Sequence, residues 1–178
     1  MMNKGITISV LIALLLAGCS ASVSTAGTTH LTKSVIKDPV KPKTFYQMVK
    51  PQRNTIQMKK VIKYLKTRVG RTSYVFAGSS PRGWDCSGLV RWTYERFGLE
   101  LPHSANKQAH IGKRVSKPKV GDIVVFAYNG STNFYHSAIY IGNGKIINAN
   151  YGSGTTIIQP LTDYKYSQIR FVRIVDTL

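Results

Sequence analysis

The chain is short of cysteine, of acid and of long apolar runs, and each shortage narrows what it can be. It has two cysteines in 178 residues, Cys19 and Cys86. The N-terminus accounts for Cys19, which leaves Cys86 without a disulfide partner in its own chain. Seven acids stand against 25 Lys and Arg, a formal net charge of +18. That imbalance predicts an anionic partner or surface. The longest apolar run, Gly5 to Ala17, has 13 residues, too few for a bilayer-spanning helix of about 20. No Gly-x-Gly-x-x-Gly or other phosphate-cradling loop occurs. No pair of ligands has zinc spacing, so neither a metal nor an organic cofactor is expected. There is no internal repeat.

The same 13-residue run suits an export signal. Met1-Met2-Asn3-Lys4 is a short positive n-region, and the run ends in Leu16-Ala17-Gly18-Cys19. This tetrapeptide resembles the lipobox of bacterial lipoproteins. The resemblance implies cleavage before Cys19 and a diacylglycerol thioether on its sulfur, so the mature protein would be anchored to a membrane without spanning it. Ser20 follows the anchor, which points to the outer membrane if the host has one.

Three segments follow: a signal over 1–18, a lipidated, flexible and basic tether over 19–52, and one domain over 53–178. The tether is rich in Ser, Thr, Lys and Pro with little apolar periodicity. Its reach is on the order of 30 Å relaxed. Residues 33–71 carry 12 of the 25 basic side chains against the single acid Asp38. In an exported chain, anionic lipids or acidic wall polymers are the expected partners of such a stretch, and nucleic acid is not.

From Thr55 the pattern turns helical. Met58, Val61, Ile62, Leu65 and Val69 recur every three or four residues, Lys59, Lys60, Lys63 and Lys66 lie off that face, and Gly70 ends the run. A turn-rich stretch leads to Trp84-Asp85-Cys86-Ser87-Gly88, where Asp85 is the expected N-cap of a helix that Gly98 stops. Ser104 caps a short helix through His110. Strands are expected over 123–128, 136–141, 145–150, 155–158 and 170–175. Helices first and consecutive strands after them predict an α+β fold, with N-terminal helices packed on an antiparallel sheet.

A lone thiol at a helix start meets the partial positive charge of free amide groups, which favours thiolate. With histidines elsewhere, this is the pattern of a cysteine nucleophile. In His136-Ser137-Ala138-Ile139-Tyr140-Ile141, alternation places His136, Ala138 and Tyr140 on one face. Gly142-Asn143-Gly144 signals a hairpin. A three-residue loop there brings Asn148 and Asn150 to the face of His136, whereas a two-residue loop over Asn143-Gly144 turns Asn148 away. An asparagine oxygen accepting from one imidazole nitrogen would leave the other to meet the thiol. Strand parity does not choose between the two asparagines. Of the other histidines, His30 falls in the tether, His110 in a polar helix, and only His103 competes as a base. Trp84 either walls the cleft or packs.

Residues 72–173 resemble the NlpC-type cell-wall endopeptidases, papain-like cysteine peptidases of bacteria and their phages. The matching stretches are 73–81, Asp85-Cys86-Ser87-Gly88-Leu89-Val90, Gly98-Leu99-Glu100-Leu101-Pro102, Gln108, Val120 to Phe126, and His136 to Lys145. The resemblance implies a papain-like α+β fold. It implies Cys86 as nucleophile, His136 as general base and Tyr74 beside the substrate or oxyanion. The family's third position, most often histidine, falls on Asn148. The implied substrates are peptidoglycan stem peptides, cut between D-glutamate and the diamino acid or at a cross-link, by a monomer without cofactor. An amidase or acyltransferase on the same Cys-His pair, or an inactive wall-binding lipoprotein, is the alternative.

Overall fold

The computed structural model describes residues 45–178, and their side chains from Lys50 onward. The signal segment, Cys19 and the tether to residue 44 lie outside the described residues.

Helix α1 runs Phe45–Lys66. Its expected inner face is buried at Met58, Val61, Ile62 and Leu65, and Lys59, Lys60, Lys63 and Lys66 are exposed. The helix begins ten residues before Thr55, so residues 45–52, read from sequence as tether, are helical. Pro51 lies inside it. Proline lacks the N–H of the helical ladder and usually ends a helix pattern. Here the Thr55 hydroxyl donates to the Pro51 carbonyl at 2.9 Å, and the helix continues. Past Lys66 the chain tightens into turns and leaves through Gly70, whose φ of +68° suits a residue without Cβ.

Two short strands, β1 (Ser79–Ser80) and β2 (Gly83–Trp84), form a small ribbon before α2 (Cys86–Glu95) and α3 (Ala105–Gln108). The main sheet contains β3 (Lys113–Val115), β4 (Ile123–Tyr128), β5 (Phe134–Gly142), β6 (Lys145–Asn150), β7 (Thr155–Pro160) and β8 (Ser167–Arg173). Its order is β3-β8-β4-β5-β6-β7, antiparallel throughout. The α+β class expected from the order of elements is the one observed. None of the described helices is long and apolar enough to cross a membrane.

β4 is covered on both faces, and Ile123 to Ala127 are fully buried. On one face Ile123, Val125, Ile139 and Ile147 pack with Val61 and Leu65 of α1 and Leu89, Val90 and Tyr94 of α2. On the other face Val124, Phe126, Ala138 and Ile146 pack with Leu161 and Tyr164 of a 3-10 turn (Leu161–Tyr164) and with Ile169 and Phe171 of the neighbouring β8. Arg173 of β8 clamps Asp122, with Nη2 2.7 Å from Oδ2, and so fixes the entry to β4. Trp84 is fully buried, and its indole N–H donates to Thr156 Oγ1 at 2.8 Å. It packs and does not wall a cleft.

Candidate active site

Cys86 is the first residue of α2, and Asp85 is its N-cap. Asp85 Oδ1 accepts from the Gly88 N–H at 2.7 Å and the Ser87 hydroxyl at 2.9 Å, and Oδ2 accepts from the Ala77 N–H at 3.0 Å. These bonds satisfy helix-start donors and pin the preceding loop, where Ala77 holds a φ of +59°. Gly88 has to be glycine: a Cβ there would collide with the Gly78 carbonyl and come within 3.0 Å of His103 Nε2. The close approach packs the 77–78 loop against the thiol-bearing turn.

β5 and β6 form the opposite side. Their pairing runs Gly142↔Lys145, Tyr140↔Ile146 and Ile139↔Ile147, with a one-residue shift between Tyr140 and Gly142. The turn is therefore the two-residue Asn143-Gly144 type, with φ of +52° and +66°. Of the two loops weighed from sequence, the two-residue one forms and the three-residue one does not. A bulge at Ile141 supplies the missing residue and restores the parity that brings Asn148 to the face of His136. His136 Nε2 lies 3.0 Å from Asn148 Oδ1, and Asn148 Nδ2 donates to Gln159 Oε1 at 3.0 Å. Asn150 instead receives the Ser153 N–H at 2.8 Å and shapes the next turn. The structure thus separates the two asparagines that strand parity left equal.

β5–β6 pairing runs no further than Ile139, and Cys86 at the start of α2 meets β5 at Ser137. The Ser137 N–H, next in chain to His136, faces the Cys86 sulfur. The Ser137 side chain is fully buried, and its hydroxyl also favours the thiolate. Even so, burial pushes the Cys86 thiol up, and the charge of Asp85 adds to the rise against the Ser137 and Ser87 amides. Burial likewise pushes His136 down to about 4, against the Asn148 bond and the Asp85 charge. Burial thus opposes the thiolate expected from the helix start, and it disfavours charge on both groups.

Tyr74 is half-buried, edge-on to Tyr151 with ring centroids 5.4 Å apart. Burial raises its pKa first, and the charges of Cys86, Asp85 and Tyr151 add to that, so its hydroxyl keeps its proton beside the thiol. His103 does not take the place of His136. Its Nε2 lies 2.9 Å from Asp85 Oδ1, on the cap of α2. His110 bonds the Asn106 carbonyl within α3's turn at 2.8 Å. Sequence reasoning missed three features of the site: Ser137 behind the sulfur, His103 on Asp85, and Tyr164 stacked on His136 with ring centroids 5.9 Å apart. Strand alternation carried a signal for Ser137. Nothing local marked Tyr164, which arrives from a 3-10 turn after β7.

A helix carrying a thiol at its N-terminus, set against an antiparallel sheet carrying an amide-held histidine, is the arrangement of a papain-like α+β fold. The chain belongs to the NlpC/P60 family, which matches over residues 70–175. It is 42% identical over 105 residues to the Murein DD-endopeptidase MepS/Murein LD-carboxypeptidase of Escherichia coli K12, covering 56% of this chain and 55% of that one. It is 40% identical over 89 residues to a probable endopeptidase NlpC homolog of Haemophilus influenzae, covering 48% and 46%. The chain thus spans about half the length of the relatives it matches. A solved NlpC/P60 family protein from Bacillus cereus superposes with a TM-score of 0.61 at 28% identity, over 66% of this chain and 40% of that one.

Proposed function

We propose that the chain is a peptidoglycan hydrolase, a cysteine endopeptidase that cuts amide bonds of cell-wall stem peptides with Cys86, His136 and Asn148. The observation that carries this reading is the His136 Nε2–Asn148 Oδ1 contact of 3.0 Å on the strand whose Ser137 N–H faces a thiol at a helix start. The NlpC/P60 membership and the printed activities of the relatives support the substrate class.

Asn148 Oδ1 accepts the Nε2–H of His136, which leaves Nδ1 as the base. Nδ1 takes the Cys86 proton as the sulfur attacks the amide carbonyl. The carbonyl π pair becomes the oxyanion, received by the Cys86 N–H at the start of α2 with the Tyr74 hydroxyl beside it. Collapse expels the amine, which takes the proton from His136 and leaves a thioester on Cys86. Water, deprotonated by His136, then attacks the thioester and releases the acid and the thiol. Burial that disfavours charge on both groups suits this sequence, because the proton moves as the sulfur attacks. The bond is read as D-glutamyl–diamino acid or a cross-link. An amidase or acyltransferase would use the same pair on another acyl group.

The envelope setting belongs to the same proposal: export, lipidation at Cys19, the monomeric state, and contact of the basic stretch with anionic lipids or wall polymers. The exposed lysines of α1 support the last of these. The test is incubation of the purified full chain, and its Cys86→Ala variant, with muropeptides of known stem structure, followed by mass spectrometry. Stem fragments from the parent alone are expected. Intact muropeptides from a folded parent with a reactive thiol would refute the peptidase. Metabolic labelling with a fatty acid, lost in Cys19→Ala, tests the anchor.

A further inference from the structure

The peptidase reading leaves an aromatic ladder unused. β5 pairs β4 as Phe126↔His136 and then Ala127↔Phe134, so Tyr135 is an extra, bulged residue. A bulge re-aims a side chain. Here it brings Tyr135 to the same face as His136, where the two rings stack at 6.5 Å and 27°. On its other side Tyr135 stacks on Tyr128 at 4.6 Å and 24°. Beyond His136 the series continues through Tyr164 to Phe126, whose rings lie 3.9 Å apart. The Tyr135 hydroxyl shares a hydrogen bond with Ser167 Oγ at 2.9 Å, which holds the bulged ring in place.

The inner end of the ladder is buried at Phe126, and the outer end is open. Tyr128 is 69% exposed, with one ring face on Tyr135. A cross-strand tyrosine pair explains the contact between the two rings. It does not explain why a pinned bulge aligns that pair with the imidazole. An exposed, rigid aromatic face has a negative π surface that attracts polarised C–H groups. The apolar face of a pyranose ring presents such groups, with polar substituents at its rim to keep solvated.

We propose that the open face of Tyr128 is a subsite for a sugar ring of the glycan from which stem peptides hang. The proposal rests on the peptidase reading above and sharpens its substrate to the glycan-attached stem. The spacing fits. Two ring-to-ring steps of 6.5 and 4.6 Å separate His136 from Tyr128. A lactyl group and two stem residues separate a sugar from the D-glutamyl–diamino acid bond, and three extended units span roughly 10 Å.

The test compares two substrates on the full chain: a free stem peptide, and the same peptide attached to its disaccharide. The parent is expected to have a KM roughly three- to tenfold lower for the attached stem, the scale of one aromatic stacking contact. Tyr128→Ala should bring the kcat/KM ratio of the two substrates to one, and Tyr128→Phe should keep the parent ratio. A ratio unchanged in Tyr128→Ala, or no preference in the parent, overturns the subsite and leaves the peptidase standing. If neither substrate is cut, the peptidase reading falls. The subsite is then decided by titrating the peptide-free disaccharide against the Cys86→Ala protein and following the tyrosine ring signals by NMR. Shifts lost in Tyr128→Ala support the subsite, and their absence in the Cys86→Ala protein overturns it.

Discussion

Asn148 Oδ1 receives His136 at 3.0 Å while Asn148 Nδ2 donates to Gln159 Oε1, also at 3.0 Å. The second bond settles which end of the amide faces the imidazole, so Gln159 of β7 sets the tautomer of a histidine on β5. Asn148→Ala removes the acceptor and frees the ring. It is expected to lower kcat by roughly 10²-fold, the lower part of what a positioned acid–base group contributes. KM should change little. Steady-state kinetics on a defined muropeptide check this.

The depressed His136 sets the acid side of the pH profile. In the proposed mechanism neutral His136 takes the thiol proton, so kcat/KM should hold through pH 5 and fall as the pH drops through about 4. A profile that breaks near 6.5, the ordinary histidine value, would contradict the burial argument.

The same shift predicts a stability change. The folded value lies below the unfolded one, so the unfolded chain binds more protons between about 4 and 6.5. The contribution is fully present above pH 6.5 and is lost as the pH falls toward 4. The urea midpoint should therefore drop between pH 7 and pH 5, and the part due to His136 should vanish in His136→Gln.

His103 acts on the thiol through Asp85. The 2.9 Å contact supplies the Asp85 carboxylate with a donor from the side opposite Ala77. His103→Ala leaves more uncompensated charge beside Cys86. The midpoint of Cys86 alkylation against pH should rise, with His103→Gln, which keeps a donor, moving less.

Gly88→Ala forces a Cβ onto the Gly78 carbonyl. Neither the helix start nor the loop can yield without breaking the Asp85 cap. A loss of about 2 kcal/mol or more is expected from thermal unfolding, the upper range for overpacking.

Much of this was legible in the sequence, for local reasons. The α1 face, the Asp85 cap and the ends of β4 and β6 follow from periodicity and capping chemistry that act within a few residues. The α1 start was misplaced because the stretch up to residue 52 shows little apolar periodicity and has the composition of a tether. Strand alternation put His136 and Asn148 on one face, but the reason given for it, a three-residue turn, is replaced by a two-residue turn with a bulge at Ile141. Both arrangements add the same one residue, so parity could not tell them apart. β1, β2 and β3 escaped notice because two or three residues carry no period. Tyr164 and His103 reach the site from distant turns, and only the folded chain shows where those turns arrive. The directions in which Cys86 and His136 shift also depend on burial, which no spacing of residues reports.

The central claim is that the Cys86 sulfur becomes acylated by a stem peptide. Acid quenching the full chain within its first turnovers on a muropeptide, followed by intact-protein and peptide mass spectrometry, tests it most directly. The account predicts a thioester adduct of the N-terminal stem fragment on the peptide containing Cys86, absent in Cys86→Ala. Product accumulating with no adduct on Cys86, or undiminished in Cys86→Ala, would contradict it.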